Sequence, residues 1–402
     1  MKSIINLWFT SVLVISFLNM GCATQSSQIE PTQTNQAYQT IQGNRAFWSP
    51  YQDLNWSEIG HYDSEFHTHP GLGDEEYDPH QTVDRYHEEG YKILTLAAHS
   101  YDVPDEIESI YPWTKLSEIY ETIKHVENPT EDNKTYEEIA NEPYQDRDPI
   151  ALGMVSVEGN EISSPHHTIS VFNAQTDGED TEAETYKLVE EQGGFAYFAH
   201  PGRYVERAGL TAHWYVDLYL RFNILVGQSV FNREDNHPGD RAFFDKVAYI
   251  LGPDRPIWLF GEDDMHSEST LGWNRDVFLI ENFRPGSMHP DIPDGSAPDV
   301  LAAFQNGYTY LWKPSERLNK RAFNIINVDV SDSEVHLTID NEDLVNEIRW
   351  RTHNPNSDDT ETIHQGFSIT EADIPPYGKF VRAEIEGSEG TIYTQPFYLI
   401  EE

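Results

Sequence analysis

The 402-residue sequence is poor in cysteine and in positive charge, and both shortages narrow its possible functions. With a single cysteine, it can form no intramolecular disulfide framework and no zinc module built from several thiolates. Lysine and arginine number 26 against 69 aspartate and glutamate residues, so the net charge is −43 with histidine neutral. Because such a charge repels phosphate backbones and anionic membranes, we expect no basic surface that wraps nucleic acid.

The N-terminal apolar stretch, residues 4–18, is too short and interrupted for a comfortable membrane span. It follows Lys2 and ends in Gly21-Cys22, which resembles a bacterial lipobox, although Asn19 stands where an aliphatic residue is usual. We therefore expect residues 1–22 to be a signal peptide that is cleaved before a lipid-modified Cys22. The alternative is ordinary secretion with an incidental cysteine. Either way the acidic composition suits an exported protein.

Residues 23–45 are rich in Gln, Thr, Ser and Asn and have no apolar period, which indicates a flexible tether. With lipidation, the protein would be an exported, membrane-anchored lipoprotein on the periplasmic, outer-membrane or cell-surface side. The whole chain is rich in aromatics, with 9 Trp, 22 Tyr and 19 Phe, which indicates a packed core.

Helical patterns alternate with apolar runs over residues 46–318. Helix signals precede strand signals at three places: 78–90 before 91–98, 181–192 before 194–199, and 240–251 before 256–260. This alternation predicts the α/β class, with a parallel sheet or barrel. Residues 101–148 interrupt the pattern and are predicted to be a long loop insertion. Residues 319–402 show short alternating runs separated by turns, which predicts a small antiparallel β-sandwich.

Histidine and carboxylate residues cluster beside the apolar runs, mostly directly after them. Because strand ends in a parallel barrel face one rim, these residues are expected to converge. Residues two apart in an extended segment point the same way, so His67 and His69 can share one ion. Imidazole and carboxylate without thiolate suit Zn, Mn or Fe, and the number of ligands implies two or three divalent ions. A lone His-x-His is weak evidence, but several such motifs beside strands are hard to obtain by chance.

The motifs resemble those of the polymerase-and-histidinol-phosphatase (PHP) family over about residues 60–312. The segments that carry the resemblance are HTHPGLGD from His67, TLAAHS around His99, GNEIS around Glu161, FAHPGR around His200 and EDDMHS around Asp264. The C-terminal stretch is similar to that of secreted members. Ala98 stands where the family usually has Asp, and Gly73 where it usually has Ser.

The resemblance implies a distorted (β/α)7 barrel that binds three metals. Carried over by motif, the first ion would be held by His67, His69, Glu161 and Asp264. Glu161 would bridge to a second ion held also by His167 and His200, and the third would be held by Asp74, His99 and His266. His166 is the alternative to His167, which is preferred because it shares a strand face with Ile169 and Val171. Since Ala98 replaces an acid beside His99, the third site is expected to be weaker.

The first functional hypothesis is a metal-dependent phosphoesterase, in which a metal-bridging hydroxide attacks a phosphate mono- or diester. Glu161 and Asp264 would hold the catalytic ions. Arg203 could clamp a phosphate oxygen or form a surface salt bridge, and Asp263, next to Asp264, is a candidate general base. The second hypothesis is a metal-dependent lyase, dehydratase or deacylase acting on acidic oligosaccharides, with Trp113, Trp214 and Trp273 as candidate sugar platforms. The third is a non-catalytic binding lipoprotein.

Overall fold

The helices of the structure lie where the sequence predicts them and at several further places. This computed structural model describes residues 45–71, 76–99, 111–128, 131–163, 166–175, 181–288 and 298–401. The described α-helices are α1 Pro79–Glu88, α2 Leu116–Ile123, α3 Tyr136–Ile139, α4 Pro149–Leu152, α5 Glu182–Glu191, α6 Pro201–Ala208, α7 Ala212–Arg221, α8 Asp240–Leu251 and α9 Pro298–Asn306.

The strands alternate with these helices in the first part of the chain and follow one another in the last. They are β1 Arg45–Trp48, β2 Gly60–Glu65, β3 Ile93–Thr95, β4 Val155–Val157, β5 Gly159–Ile162, β6 Thr168–Val171, β7 Phe195–Phe198, β8 Leu225–Asn232, β9 Trp258–Glu262, β10 Arg275–Ile280, β11 Gly286–Met288, β12 Thr309–Pro314, β13 Ile325–Val330, β14 Glu334–Ile339, β15 Val345–Asn354, β16 Asp359–Gln365, β17 Ser368–Thr370, β18 Phe380–Gly387, β19 Gly390–Thr394 and β20 Phe397–Glu401.

Local signals explain where the predicted helices begin and end. At α1, Gln81 accepts a hydrogen bond from the backbone N–H of Asp78 at 3.0 Å, and the chain leaves the helix through Gly90 at φ 89°. At α5, the Thr181 hydroxyl accepts the backbone N–H of Glu184. These predictions of helices and of the strands that follow them are confirmed.

Two sheets flank the metal-ligand motifs. One runs β5-β6-β7-β8-β9, with β7, β8 and β9 parallel and β5-β6-β7 antiparallel. The other contains β10-β2-β3-β4-β11, in which β2, β3, β4 and β11 are parallel and β10 is antiparallel to β2. Single bridges join the two sheets where strands end, between Thr68 and Met265 and between His99 and Glu161. The α/β class is therefore confirmed, with more antiparallel pairing than predicted.

The C-terminal strands are antiparallel, as the sequence predicts, and they continue the second sheet. The order β1-β20-β18-β19-β12-β10 carries it from the metal-ligand strands into the C-terminal region, and β15 and β16 attach through β18. A separate three-stranded sheet, β13-β14-β17, packs with these strands around one apolar core that contains Trp312, Trp350 and Leu337. The described residues all belong to one compact unit.

The segment 101–148 differs from the predicted loop in its described part. It contains α2 and α3, and Trp113, Leu116 and Ile123 are buried in a core shared with Met265. Its apolar residues thus pack on the domain instead of lying in a loop. No helix within the described ranges has both the length and the apolar character needed to cross a membrane.

Candidate metal centre

Strand ends bring most of the predicted ligands together. Nearly all follow or precede a strand: His67 and His69 follow β2, His99 follows β3, Glu161 lies in β5, His167 precedes β6, His200 follows β7, and Asp264 and His266 follow β9. Three overlapping sets of three of these side chains each offer ligand atoms within 4.8 Å of one another, and a fourth set joins His67 and His200 to Glu262. Asp74, like Gly73 and Cys22, lies outside the described residues.

Glu161 is the centre of this cluster. Its Oε1 lies 2.6 Å from His167 Nδ1, 3.1 Å from His200 Nε2 and 3.3 Å from His67 Nε2. Its Oε2 lies 2.6 Å from His99 Nδ1 and 3.6 Å from His69 Nε2. One fully buried carboxylate thus faces five imidazoles and divides them between its two oxygens, which is the arrangement a bridging ligand requires.

Asp264 forms a second focus on the other side of His67 and His69. Its Oδ1 lies 3.2 Å from His69 Nε2, 3.5 Å from His67 Nε2 and 3.3 Å from His266 Nδ1. The His266 ring in turn packs 4.1 Å from the His69 ring, centroid to centroid. Asp264 and His266 therefore face the same site, although Asp264 has a φ of 44° and is not part of an extended segment.

The structure distinguishes His167 from His166. The His166 ring points away from Glu161, with Nε2 2.8 Å from the Tyr215 hydroxyl and Nδ1 2.7 Å from the carbonyl of His167. It also stacks on Tyr204 with centroids 3.9 Å apart. Both ring nitrogens of His166 are thus hydrogen-bonded within the aromatic core. Of the two histidines, it is His167 that contacts Glu161.

The donor set fits divalent cations. Ligand atoms that share an ion at about 2.0–2.2 Å lie roughly 3–3.5 Å from one another. The distances from His67 and His200 to Glu161 and from His67 and His69 to Asp264 fall in or near this range. Among the described residues, ordinary hydrogen bonds leave four buried imidazole nitrogens of the cluster unsatisfied: His67 Nε2, both ring nitrogens of His69, and His200 Nδ1. Buried polar atoms rarely stay unsatisfied, so these nitrogens point to ligands that they would bind.

The electrostatics keep the carboxylates ionised. Burial would raise the pKa of Glu161, but the facing imidazoles of His67 and His167 outweigh it and hold that pKa well below its usual value. The pKa of Asp264 is likewise held low, against burial, by His67 and His69. Burial together with the neighbouring His99 and His266 lowers the pKa of His69. Against the effect of burial, the carboxylates of Glu161, Glu262 and Asp264 hold the pKa of His67 well above its usual value. Because metal ions bind ionised carboxylates and neutral imidazoles, His67 would release a proton when an ion binds.

A layer of carboxylates behind the ligands was not among the predicted site residues. Glu262 Oε2 lies 2.9 Å from His67 Nδ1, and Glu262 Oε1 accepts the His200 N–H and the Ser229 hydroxyl. Because a carboxylate only accepts, His67 Nδ1 carries a proton and its Nε2 is directed at Glu161 and Asp264. The signal was present in the sequence, since Glu262 precedes Asp264 and His266 at the same two-residue spacing.

The other predicted functional residues are placed differently. The Asp263 carboxylate accepts the Tyr86 hydroxyl and the backbone N–H groups of Gly272, Trp273 and Asn274, so it anchors a loop instead of facing the ligands. Arg203 lies on α6 and is close enough for its charge to lower the pKa of His167, behind the larger effect of burial. An arginine that was not predicted, Arg233, lies 3.1 Å from Asp264.

The candidate sugar platforms take structural positions. Trp113 is buried in the core of the 101–148 segment, and Trp214 packs against the His166 ring. The indole N–H of Trp273 donates to the carbonyl of Ser269. These contacts give no specific support to the oligosaccharide hypothesis.

Similarity of this chain to known proteins is found among solved structures. No protein family profile matches the chain, and no curated protein matches it. Among solved structures, the chain is similar to a two-domain protein from Bacteroides vulgatus containing a predicted PHP-like metal-dependent phosphoesterase, with 15% identity over 87% of this chain and 98% of that chain and a TM-score of 0.46. It is also similar to the lesion-specific endonuclease EndoQ from Pyrococcus furiosus, with 11% identity over 56% of this chain and 54% of that chain and a TM-score of 0.30. One of these structural neighbours contains a PHP-like domain, and PHP is the family that the sequence motifs resemble.

Proposed function

We propose that this chain is an exported metal-dependent hydrolase and, within that class, a phosphoesterase that acts on a phosphate mono- or diester. The observation that carries the proposal is the buried carboxylate Glu161, which faces five imidazoles beside a second carboxylate, Asp264. A purely structural ion site needs about four ligands, whereas this set is large enough for two or three ions.

The residues divide the work in the following way. By the resemblance, His67, His69 and Asp264 would hold one ion with Glu161, and His167 and His200 would hold a second ion that Glu161 also binds. His99 and His266 would hold a third together with Asp74, which lies outside the described residues. Bound Zn, Mn or Fe ions would supply a nucleophile at neutral pH and neutralise charge on a transferring phosphoryl group. Glu262 orients His67, and Arg203 on α6 provides a cation for a phosphate oxygen.

The proposal extends to architecture and location. The two sheets around the centre form a distorted (β/α)7-type barrel, and residues 319–402 form the β-sandwich appended to it. Support comes from the bridges that join the sheets at Thr68 and His99, and from the antiparallel C-terminal strands. The signal peptide and lipidated Cys22 place the enzyme outside the cytoplasm, where the acidic composition favours solubility.

The test is a substrate panel with protein supplied with Mn or Zn, comparing Glu161→Gln with His336→Gln. The panel holds phosphomonoesters, phosphodiesters including a single-stranded oligonucleotide, carboxylic esters and uronate-containing oligosaccharides. We expect phosphoester turnover that falls by roughly 10³-fold or more in Glu161→Gln, since the metals both generate the nucleophile and stabilise the transition state.

The control variant changes a residue that lies outside the two sheets of the ligand cluster. His336 lies in the three-stranded C-terminal sheet, where its Nδ1 contacts the Ser368 hydroxyl, so His336→Gln should leave turnover unchanged. Folding of both variants is checked by circular dichroism. If only the uronate-containing oligosaccharides are turned over, the phosphoesterase proposal is wrong and elimination chemistry takes its place. If Glu161→Gln turns over substrate at the normal rate, the metal-hydrolase proposal itself is wrong.

A further inference from the structure

Three neighbouring parallel strands end in the same unusual backbone conformation. The residues concerned are His200 after β7, Arg233 after β8 and Asp264 after β9, with φ of 28°, 55° and 44°. Non-glycine residues at positive φ are uncommon and energetically unfavourable, and they cluster at functional sites. His200 and Asp264 belong to the proposed ligand set, so the third member of this row, Arg233, requires its own explanation.

The backbone of Arg233 is fixed on both sides. Its N–H donates to the carbonyl of Glu262 at 2.8 Å. Its own carbonyl accepts from Asn274 Nδ2 at 3.0 Å and from Lys313 Nζ at 2.8 Å. Three hydrogen bonds from different elements thus hold the residue in the left-handed conformation and set the direction of its side chain.

The Arg233 guanidinium lies at the edge of the ligand cluster. Its Nη2 is 3.1 Å from Asp264 Oδ2 and 3.2 Å from His266 Nδ1. Its Nε is buried without a hydrogen-bond partner among the described residues, yet 33% of the side chain is exposed. The cation therefore contacts a proposed ligand and belongs to a side chain that is one-third exposed, so it lies between the ligand cluster and solvent, where an entering anion can be bound.

We propose that Arg233 is an anion-binding residue of the centre, whose guanidinium binds oxygens of a phosphoryl or similar oxyanion group next to the ions held by Asp264 and His266. This rests on the proposed function. The planar guanidinium can bind two oxygens of such a group at once. In a chain of charge −43, a cation fixed at the site offsets the repulsion that an anionic substrate meets on approach.

The alternative role for Arg233 is to neutralise Asp264 and so maintain the ligand set. The two roles differ in what the variant loses: anion affinity in the first case and metal in the second. The experiment therefore measures both quantities on the full-length protein. Arg233→Gln removes the positive charge, and Arg233→Lys keeps the charge but loses the two-pronged guanidinium. Arg233→Gly removes the whole side chain, and because glycine readily adopts a φ of 55°, the backbone at this position is not strained.

The probe is inorganic phosphate, titrated calorimetrically into Mn-loaded protein whose metal content is known from elemental analysis. Arg221→Gln is the charge-matched control, because Arg221 is half exposed on α7 and forms an exposed ion pair with Asp217. We expect phosphate affinity to fall about 10- to 100-fold in Arg233→Gln and Arg233→Gly and less in Arg233→Lys, at unchanged metal content. On any phosphoester that is turned over, the loss should appear in KM more than in kcat.

Each outcome separates this proposal from the proposed function. Wild-type phosphate affinity in Arg233→Gln and Arg233→Gly would overturn the role of Arg233, whatever the enzyme hydrolyses. Loss of metal in these variants would also overturn it, in favour of ligand neutralisation. Arg233-dependent phosphate binding without turnover of any phosphoester would support the anion site while the phosphoesterase proposal fails.

Discussion

At the scale of single residues, one carboxylate orients a proposed ligand and a different carboxylate would bind the ions. Glu161 faces the imidazole nitrogens that would bind ions, whereas Glu262 holds His67 from behind through Nδ1. Removing such an orienting partner typically weakens metal affinity or activity by 10- to 100-fold without removing a ligand. The two carboxylates can therefore be told apart by experiment.

We predict that Glu262→Gln binds metal about 10- to 100-fold more weakly than wild type but still binds it. An amide has only one acceptor oxygen. It therefore cannot accept hydrogen bonds both from His67 Nδ1 and from the two donors that now face Glu262 Oε1, the backbone N–H of His200 and the Ser229 hydroxyl. Competition with a calibrated chelator gives the dissociation constants. Glu190→Gln on the exposed face of α5 is the control, and a Glu262→Gln constant equal to that of the control would refute the orienting role.

Asp240, the first residue of α8, is predicted to make stability depend on pH. Burial, with the nearby charge of Glu262, raises its pKa from 3.8 to about 8, partly opposed by the Gly202 backbone N–H. The folded protein therefore keeps this proton to higher pH than the unfolded chain does. This contribution to stability is present below pH 4 and is lost as pH rises towards 8.

Replacing this acid by a neutral isostere should remove the dependence. Asp240→Asn and wild type should be similarly stable near pH 4, while at pH 8 the variant should be more stable by an amount on the order of 3–5 kcal/mol. Urea unfolding at a series of pH values measures the difference. A difference that does not grow with pH would mean that Asp240 is ionised in the folded protein throughout this range.

The sequence predicts the ligands better than the residues that support them. Most of the proposed ligands, His67 and His69 among them, lie beside apolar runs in recognisable motifs, and the resemblance to the PHP family selects them. Glu262 has the same spacing, but an acid behind a ligand looks like any other in a chain with 69 acids. Arg233 carries no motif at all, because its role depends on a left-handed backbone fixed by Asn274 and Lys313 from distant parts of the chain.

At the scale of elements, a buried ion pair fastens α8 to the C-terminal strands. Arg382 on β18 forms two hydrogen bonds with Asp245 on α8, at 2.7 and 2.8 Å, and a third with Glu384 at 2.8 Å. Asp245 also accepts the Thr360 hydroxyl of β16. The neighbouring acids Asp245 and Glu384 raise the pKa of Arg382 against the effect of burial, so the arginine stays charged.

Removing one partner of this pair should be strongly destabilising. We predict that Asp245→Asn loses about 3–5 kcal/mol of unfolding free energy, because a buried guanidinium is left partly uncompensated. Asp217→Asn, which breaks the exposed pair with Arg221 on α7, should change it by less than about 1 kcal/mol. Urea unfolding compares the two, and equal losses would show that the buried pair has no special role.

Elements with short-range signals are predictable, and those fixed by distant partners are not. The Asp78 and Thr181 caps locate α1 and α5 from a few neighbouring residues. By contrast, α2 and α3 form where the sequence suggests a loop, because Trp113 and Leu116 find a core provided by Met265 of another segment. The pairing of β1 with β20 joins residues about 350 positions apart, and no local pattern specifies it.

At the scale of the whole molecule, the proposed catalytic and C-terminal regions share backbone hydrogen bonds. Strand β12 pairs with β10 on one side and with β19 on the other, and β10 pairs with β2, the strand that leads to His67. The sheet is therefore continuous across residue 318, near which the change of sequence pattern predicts a domain boundary. The C-terminal strands thus support the strand from which two proposed ligands extend.

The most direct test of the account is the number of divalent ions that the full-length protein binds. Protein supplied with Mn or Zn and freed of excess ion is analysed for metal per chain, with Glu161→Gln and His336→Gln treated in parallel. Because Glu161 faces ligands on both of its oxygens, we predict two or three ions in wild type and in His336→Gln, and at least one fewer in Glu161→Gln. A wild-type protein that never holds more than one ion per chain would contradict the multinuclear centre on which the proposed hydrolase depends.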